Sequence, residues 1–528
     1  MKKLDFPGLS ALLLWFLAPA PAHSQDIEWE KSYGGKHAEY LMDAQPTPDY
    51  GFILAGSSLS KRTGNKTEAS RGDLDYWIWK MDENGDLDWQ KSFGGSGSDF
   101  LQSIRLAPDG GYILGGTSAS GNGLDKKDGS RGGSDYWIIK LDAMGGEEWQ
   151  RTLGGEGQDD LLCVIPCRDG GYLAAGSSSS GAGGGKTAGQ SGNMDYWVLK
   201  LDSRGRVQWQ QSYGGLYADL LRAAEATPDG GFILGGYSNS PQGGSKSIGG
   251  YGEGDYWIIK IDASGAIEWQ QAFGGDKDDQ LYALRQTAGG YMAAGSSNSG
   301  ATGNKSSSSR NGTDFWVLQL DAQGSILWQE TYDFGKYDIL TSLAESGDGG
   351  FLIGGHAQSE GRKAKDPESV NDYIALKISA SGEKLWEKAA GSSGEDILKK
   401  AIAARGGGYL MAGTSEGRAS RDKKSGIGNK DFWVVKLSDS GRKKEDRKPI
   451  EAFPNPTARF SNVVVGYDFK TGTATVYDLG GRQLQHFEIQ DRTVPVDLGG
   501  YPEGIYLVEI STDVQKDAVK IAKTANRN

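Results

Sequence analysis

Cysteine is almost missing from this chain: 528 residues contain two, Cys163 and Cys167. On one extended strand their separation exceeds the reach of a disulfide, so both are expected as small buried side chains. Histidine is nearly as scarce, four in all. His37, His356 and His486 stand far apart, which excludes a zinc site built on Cys and His. Proline numbers only 15, so neither a collagen-like nor a proline-rich segment is present. There is no positive excess either. The net charge is −12, which provides no basic field for a nucleic acid backbone. Long apolar runs are also lacking. The longest, LSALLLWFL from Leu9 to Leu17, is too short to span a bilayer. With Lys2 and Lys3 before it and Ala22-His23-Ser24 after it, the stretch 1–24 reads as a secretory signal peptide cleaved before Gln25. The fold is therefore expected to stand without disulfides although the chain is exported.

What the chain does hold is glycine, 82 residues, with 15 Trp and 23 Tyr. Glycine at roughly twice its usual ~7 % together with many aromatics suits short strands joined by tight turns. Trp29, Trp89, Trp149, Trp209, Trp269, Trp328 and Trp386 recur every 58 to 60 residues. A second row is Asp-aromatic-Trp at Asp75, Asp135, Asp195, Asp255, Asp314 and Asp431; the sixth copy keeps Asp372-Tyr373 but carries Ile374. Each copy reads as four strands. In the second these are Asp99 to Leu106, Gly111 to Ser118, Asp135 to Asp142 and Glu147 to Leu153. A turn at Ala107-Pro108-Asp109-Gly110, a long Gly/Ser/Lys-rich loop and a hairpin at Asp142-Ala143-Met144-Gly145 separate them. Four strands per repeat and no helical period predict an all-β fold, a seven-bladed β-propeller.

The frame of the repeat predicts how the ring closes. The chain opens on a Trp strand around Trp29 and ends its seventh repeat on a third strand, Asp431 to Leu437. The N-terminal strand should then supply the outer strand of the seventh blade, which pairs both free edges at once. A small pair recurs in every second strand, for example Gly115-Gly116 and Ala175-Gly176, where backbones should approach closely.

After Ser440 the pattern stops. Residues 26–440 are read as the propeller, 441–449 as a charged linker, and 450–528 as a small β-sandwich of short strands. This last segment carries Phe453-Pro454-Asn455-Pro456, Val476-Tyr477-Asp478-Leu479-Gly480-Gly481-Arg482, Val496-Asp497-Leu498, Pro502-Glu503-Gly504-Ile505-Tyr506, and a final strand with Lys516 and Lys520. It resembles the C-terminal sorting domain of proteins exported by the type IX secretion system of Bacteroidetes. The polar tail Thr524 to Asn528 runs past the usual end of that family. The resemblance implies periplasmic entry, then passage to the outer-membrane surface or beyond, with the secretion machinery as partner. The propeller is similar to a Gly/Trp repeat of exported proteins in the same bacteria, a resemblance that implies no agreed activity. A charged linker leads us to expect few contacts between the two parts.

Several residues are candidates for function. An acid opens each first strand: Glu39, Asp99, Asp159, Asp219, Asp279, Asp338 and Asp396. These either ring the channel mouth as a polar-ligand or Ca²⁺ site, or accept hydrogen bonds from neighbouring loops. The long loops carry Lys66, Lys126, Lys186, Lys246, Lys305 and Lys363, with Asp422-Lys423 in the seventh copy. Solvation of a Gly/Ser-rich loop is the plain reading of these; pairing with the acids or contact with an anionic glycan is the functional one. Asp82-Glu83-Asn84-Gly85-Asp86 looks like half a calcium loop, but no Glu closes it, so a hairpin turn is expected. The sixth copy departs most, and His356 and Phe334 are its candidate ligand contacts. The D-x-x-G-x-x-x-W spacing, as from Asp202 to Trp209, fails the sialidase Asp-box. The turn from Leu320-Asp321 to Trp328 is similar to quinoprotein dehydrogenase repeats but lacks their Thr. No catalytic residue and no cofactor are assigned. The reading is an exported binding module for glycan or protein, with a polysaccharide-active hydrolase or lyase as the alternative.

Overall fold

The computed structural model describes residues 25–310, 312–358, 370–439 and 447–524. The signal-peptide stretch 1–24, Lys363, Pro367, most of the linker and the last four residues lie outside that set. The described residues form 35 strands and no helix, and no helix is long and apolar enough to cross a membrane.

The repeats form seven antiparallel sheets of four strands. The second runs Asp99–Leu106, Tyr112–Ser118, Asp135–Leu141, Glu147–Leu153. These bounds match the pattern read from alternation and turns to within one residue. In the seventh, the order is Ile27–Tyr33, Asp431–Leu437, Tyr409–Ser415, Asp396–Ala403, so the outer strand comes from the N-terminus. Its register copies the other sheets: Trp29 stands opposite Lys436 and Tyr33 opposite Phe432, as Trp149 stands opposite Lys140 and Leu153 opposite Tyr136. The side-chain link is kept as well. Trp137 Nε1 donates to Gln150 at 3.1 Å, and Trp433 Nε1 donates to Glu30 at 2.8 Å across the chain ends.

Adjacent sheets pack face to face through one repeated contact. The Tyr of each third strand lies on the Trp of the next sheet, as in Tyr76–Trp137 at 4.8 Å and Tyr136–Trp197 at 4.7 Å. Its hydroxyl donates to that Trp's carbonyl, at 3.1 Å and 3.0 Å in these two pairs. The seventh sheet meets the first through Phe432 and Trp77 at 4.8 Å, and their residues share one buried cluster. The small pair in the second strand has a local cause. Each first strand bulges after its third residue, between Leu101 and Ser103 in the second sheet. The bulge drives the Phe100 carbonyl onto Gly116, where any Cβ would collide with it. Backbone approach of this kind admits only glycine.

The C-terminal part is two stacked sheets. Ile450–Phe453, Phe460–Val465 and Thr493–Asp497 form one; Gln483–Ile489, Gly472–Asp478, Gly504–Thr512 and Lys516–Lys523 form the other. Val463, Val476, Val496, Val508 and Ile521 are buried between them, as alternation requires of a sandwich. The expectation of few contacts with the repeats is corrected. Arg447 and Arg492 both pair with Glu83, and Arg405 pairs with Glu451 at 2.7 Å. Tyr50 lies under the guanidinium groups of Arg405 and Arg447, 4.6 Å and 4.5 Å from its ring centre. The cause is the hairpin at Asp82, whose caps are its own Asn84 and Asp86 amides. That hairpin is a turn rather than a calcium loop, and it holds Glu83 out toward two arginines.

Candidate functional site

The tail contacts turns that all lie on one side of the repeats, those between first and second strands (Asp49, Tyr50, Gly110, Arg405) and the hairpin at Glu83. The long loops leave the sheets from the other side. Two features stand out there and in the centre: a belt of buried charge beneath the loops, and a small channel.

The belt begins with the acids at the heads of the first strands. All seven, Glu39, Asp99, Asp159, Asp219, Asp279, Asp338 and Asp396, are 0 % exposed, so none faces solvent at a channel mouth. Each accepts a backbone N–H from the turn four residues before it: Gly95 to Asp99 at 2.8 Å, Gly215 to Asp219 at 2.7 Å, Phe334 to Asp338 at 2.6 Å, Ser392 to Asp396 at 2.5 Å. A serine hydroxyl adds a second bond in most copies, as Ser120 to Asp99 at 2.9 Å. The head of each third strand supplies another buried Asp, such as Asp75 and Asp135.

The loop lysines close the belt. Lys66, Lys126, Lys186, Lys246, Lys305 and Lys423 are all buried, which corrects the reading of solvated loop residues. Lys186 Nζ donates to Ser178 Oγ and the Ser180 carbonyl, both at 2.7 Å. It lies 5.5 Å from the Trp197 ring centre, and Lys126 lies 5.3 Å from that of Trp137. A buried ammonium survives only when it is paired and hydrogen-bonded, and these geometries give it an indole face, hydroxyls and flanking carboxylates. Burial still tells: it pushes Lys66 and Lys126 down to about 8.

Two carboxylates attend each lysine, so the belt carries excess negative charge. Burial pushes Glu39 up to about 6, against the hydrogen bonds it receives from Ser60 and Gly35. Burial, with Asp99 and Asp279 respectively, also pushes Asp75 and Asp255 up to about 6. These folded values lie above the unfolded ones near 4. Their stabilising contribution is therefore complete below pH ~4 and lost as pH rises through 6. The depressed Lys66 and Lys126 are penalised at every pH below about 8 and relieved above it. On the acid side, Asp229 and Asp348 are held at about 2 despite burial by Lys260 and Lys377, and that support goes as pH falls toward 2. The melting temperature should therefore be higher at pH 5 than at pH 7.5. A scan of Tm against pH in chelator-treated buffer checks this; a maximum near pH 7.5 would contradict it.

The departures of the sixth copy have a packing setting. Phe315 meets no Trp across its junction because Ile374 stands there. The ring beside it is Phe334, edge-on at 5.2 Å, joined to the same buried cluster. Phe334 thus faces inward against Phe315 and not toward the loop side. His356 is buried too, and burial with the nearby Lys399 pushes it down to about 4, so it is neutral. Its Nδ1 has no hydrogen-bond partner among the described residues.

The channel was not foreseen. Residues from all seven first strands line one cavity of about 70 Å³, room for about two waters and not for a sugar. Asp43 is buried there and accepts from Arg105 and from the Ile104 amide at 3.0 Å, with Lys400 Nζ at 3.4 Å. Glu225 pairs with Arg285. Asp43 is held low despite its burial by Arg105 and Lys400. These charges come from single copies of the repeat, so only a residue-by-residue comparison of first strands could have flagged them. Both cysteines are free and buried, as the spacing implied.

Comparisons with known proteins bear on the two ends of the chain differently. Residues 451–524 match the family model described as "Secretion system C-terminal sorting domain". No curated protein matches the chain. Among solved structures, Sqt1 from Chaetomium thermophilum is similar at 12 % identity and TM-score 0.41, over 79 % of this chain and 100 % of that one. The Pan2 WD40 domain of Neurospora crassa is similar at 11 % and 0.41, over 80 % and 100 %. PQQ-bound aldose sugar dehydrogenase from Streptomyces coelicolor is similar at 10 % and 0.34, over 79 % and 99 %. Likenesses this weak carry no argument about activity. The sorting-domain match supports secretion to the cell surface or the exterior.

Proposed function

We propose that this is an exported binding module: a seven-bladed propeller closed by its N-terminal strand, delivered by the type IX machinery of a Bacteroidetes cell, and presenting its long-loop side to a glycan or a surface protein. One observation carries the reading. The sorting domain sits against the short-turn side of the repeats, so the tail and the loops do not compete for the same surface. The belt supports it from below. Loop bases pinned by buried lysines and aspartates are held in place without disulfides, and preorganised loops bind with less ordering cost. The channel is too small to be the binding site, which directs recognition to the loop side. The acids Glu39, Asp99, Asp159, Asp219, Asp279, Asp338 and Asp396 act in this reading as loop anchors, and Phe334 as a packing residue.

A glycan array run with the purified protein, beside chromatographic analysis of the same glycans after incubation, tests the proposal. Retention of one glycan class without new products is the expected result. Turnover of any glycan would instead favour a hydrolase or lyase.

A further inference from the structure

The junction between the fifth and sixth sheets differs from the others at one position. Six junctions place a glycine against the carboxylate that heads the preceding third strand: Gly34 at Asp431, Gly94 at Asp75, Gly154 at Asp135, Gly214 at Asp195, Gly274 at Asp255 and Gly391 at Asp372. At each of these a Cβ would run into that carboxylate. The seventh junction has Asp333 there. It brings not only a Cβ but a third carboxylate, and one oxygen each from Asp314, Asp333 and Asp338 lies within 4.8 Å of the other two.

The surroundings have changed in the same direction. Asp99 is paired across its sheet with Ser118, whereas Asp338 is paired with Ala357. A hydroxyl has gone where a negative charge has arrived. The remaining donors reach only one oxygen of each buried acid. The Arg310 amide donates to Asp314 Oδ2 at 2.8 Å. The Phe334 and Gly335 amides donate to Asp338 Oδ2 at 2.6 Å and 3.3 Å. The other oxygens, Asp314 Oδ1 and Asp338 Oδ1, are buried with no partner among the described residues, on side chains 1 % and 0 % exposed. A buried carboxylate oxygen without a donor is costly, and two of them together with a third acid are worse. Asp333 itself is exposed, so the cluster is open to solvent at one side.

We infer that Asp314, Asp333 and Asp338 form a divalent cation site suited to Ca²⁺. Three carboxylates supply hard oxygen ligands in the irregular geometry that Ca²⁺ accepts, and water reaches the open side to complete the shell. Mg²⁺ demands a near-octahedral set and is the poorer fit. The ion would bridge Asp314 at the head of a fifth-sheet strand to Asp338 at the head of a sixth-sheet strand. It would thus reinforce the junction that lacks both the Trp and the tyrosine hydroxyl bond of its neighbours. The other acid pairs in the belt keep glycine at this position, so one ion per chain is expected.

Calorimetric titration of the chelator-treated, full secreted chain with CaCl₂ alone tests this, read together with Tm in Ca²⁺ and in EDTA. One equivalent should bind, with an affinity of about 10⁻⁴–10⁻³ M or tighter, the range of extracellular calcium modules, and Tm should rise by several degrees. Asp333→Gly restores the glycine of the other junctions; it should fold, keep the EDTA Tm within a degree or two, and lose both the heat and the Ca²⁺ shift. Asp333→Asn should weaken binding at least tenfold without disturbing the fold. No heat and no shift at about 5 mM Ca²⁺ would overturn the assignment. So would unchanged binding by Asp333→Gly, or a stoichiometry near seven, which would place the ions on the acid pairs common to all junctions.

Discussion

Removing residues 25–36 should lower the melting temperature by roughly 10 °C or more and turn much of the protein into aggregate. The excised strand carries Trp29, Glu30 and Tyr33, the last two buried. Tyr33 Oη donates to the Gly85 carbonyl at 2.7 Å and its ring packs on Trp79 at 4.6 Å, so the strand also braces the first sheet. Loss of one large buried aromatic costs about 3–5 kcal/mol. The deletion adds an open edge along Asp431–Leu437, a strand buried along its whole length, and unpaired apolar edges invite association. Differential scanning calorimetry beside light scattering checks it. A truncated protein that melts like the parent would show that the seventh sheet does not depend on the N-terminus.

The second large effect concerns delivery. A chain ending before residue 450 should fold, enter the periplasm and stay there. Its fold should survive because the repeats bury their own core, while the tail's contacts are ion pairs and cation–π contacts around Glu83, Tyr50 and Glu451. Half-exposed pairs of this kind contribute about 0–1 kcal/mol each, so Tm should move by only a few degrees. Fractionation of cells producing the full and shortened chains, with immunodetection of the repeats, reads the outcome. Normal arrival of the shortened chain at the surface would remove the delivery role assigned to the tail.

Much of this architecture was legible before any coordinates. Strand bounds followed from alternation, turns and a 60-residue period, because each repeat meets the same neighbours and each residue has the same task. The seventh-sheet swap was legible for the same reason: a Trp strand at one end answers a missing one at the other. The loop lysines were misread. A lysine among Gly, Ser and Thr looks solvated, yet six of those described lie beneath the loop. Their fixed distance of nine residues from the third-strand Asp was the available signal, since a solvated residue has no reason to keep it. The pairing of Glu83 with Arg447 and Arg492 spans 364 and 409 residues, and no local pattern reports such a contact. Phe334 was read as an outward contact because its partner, Phe315, lies in another sheet. Asp333 was noticed as a departure, but its weight comes from the buried, donor-free oxygens around it, which only the packing reveals.

The account rests on the N-terminal strand being the outer strand of the seventh sheet. Hydrogen exchange of the peptide covering Asp431–Leu437, read by mass spectrometry, tests this most directly. That strand pairs with Ile27–Tyr33 on one side and Tyr409–Ser415 on the other, so both sets of its alternating amides are bonded. Its protection should equal that of Asp135–Leu141, which is flanked by two strands of its own repeat. Rapid exchange of half the amides of Asp431–Leu437, the pattern of an open edge, would contradict the account.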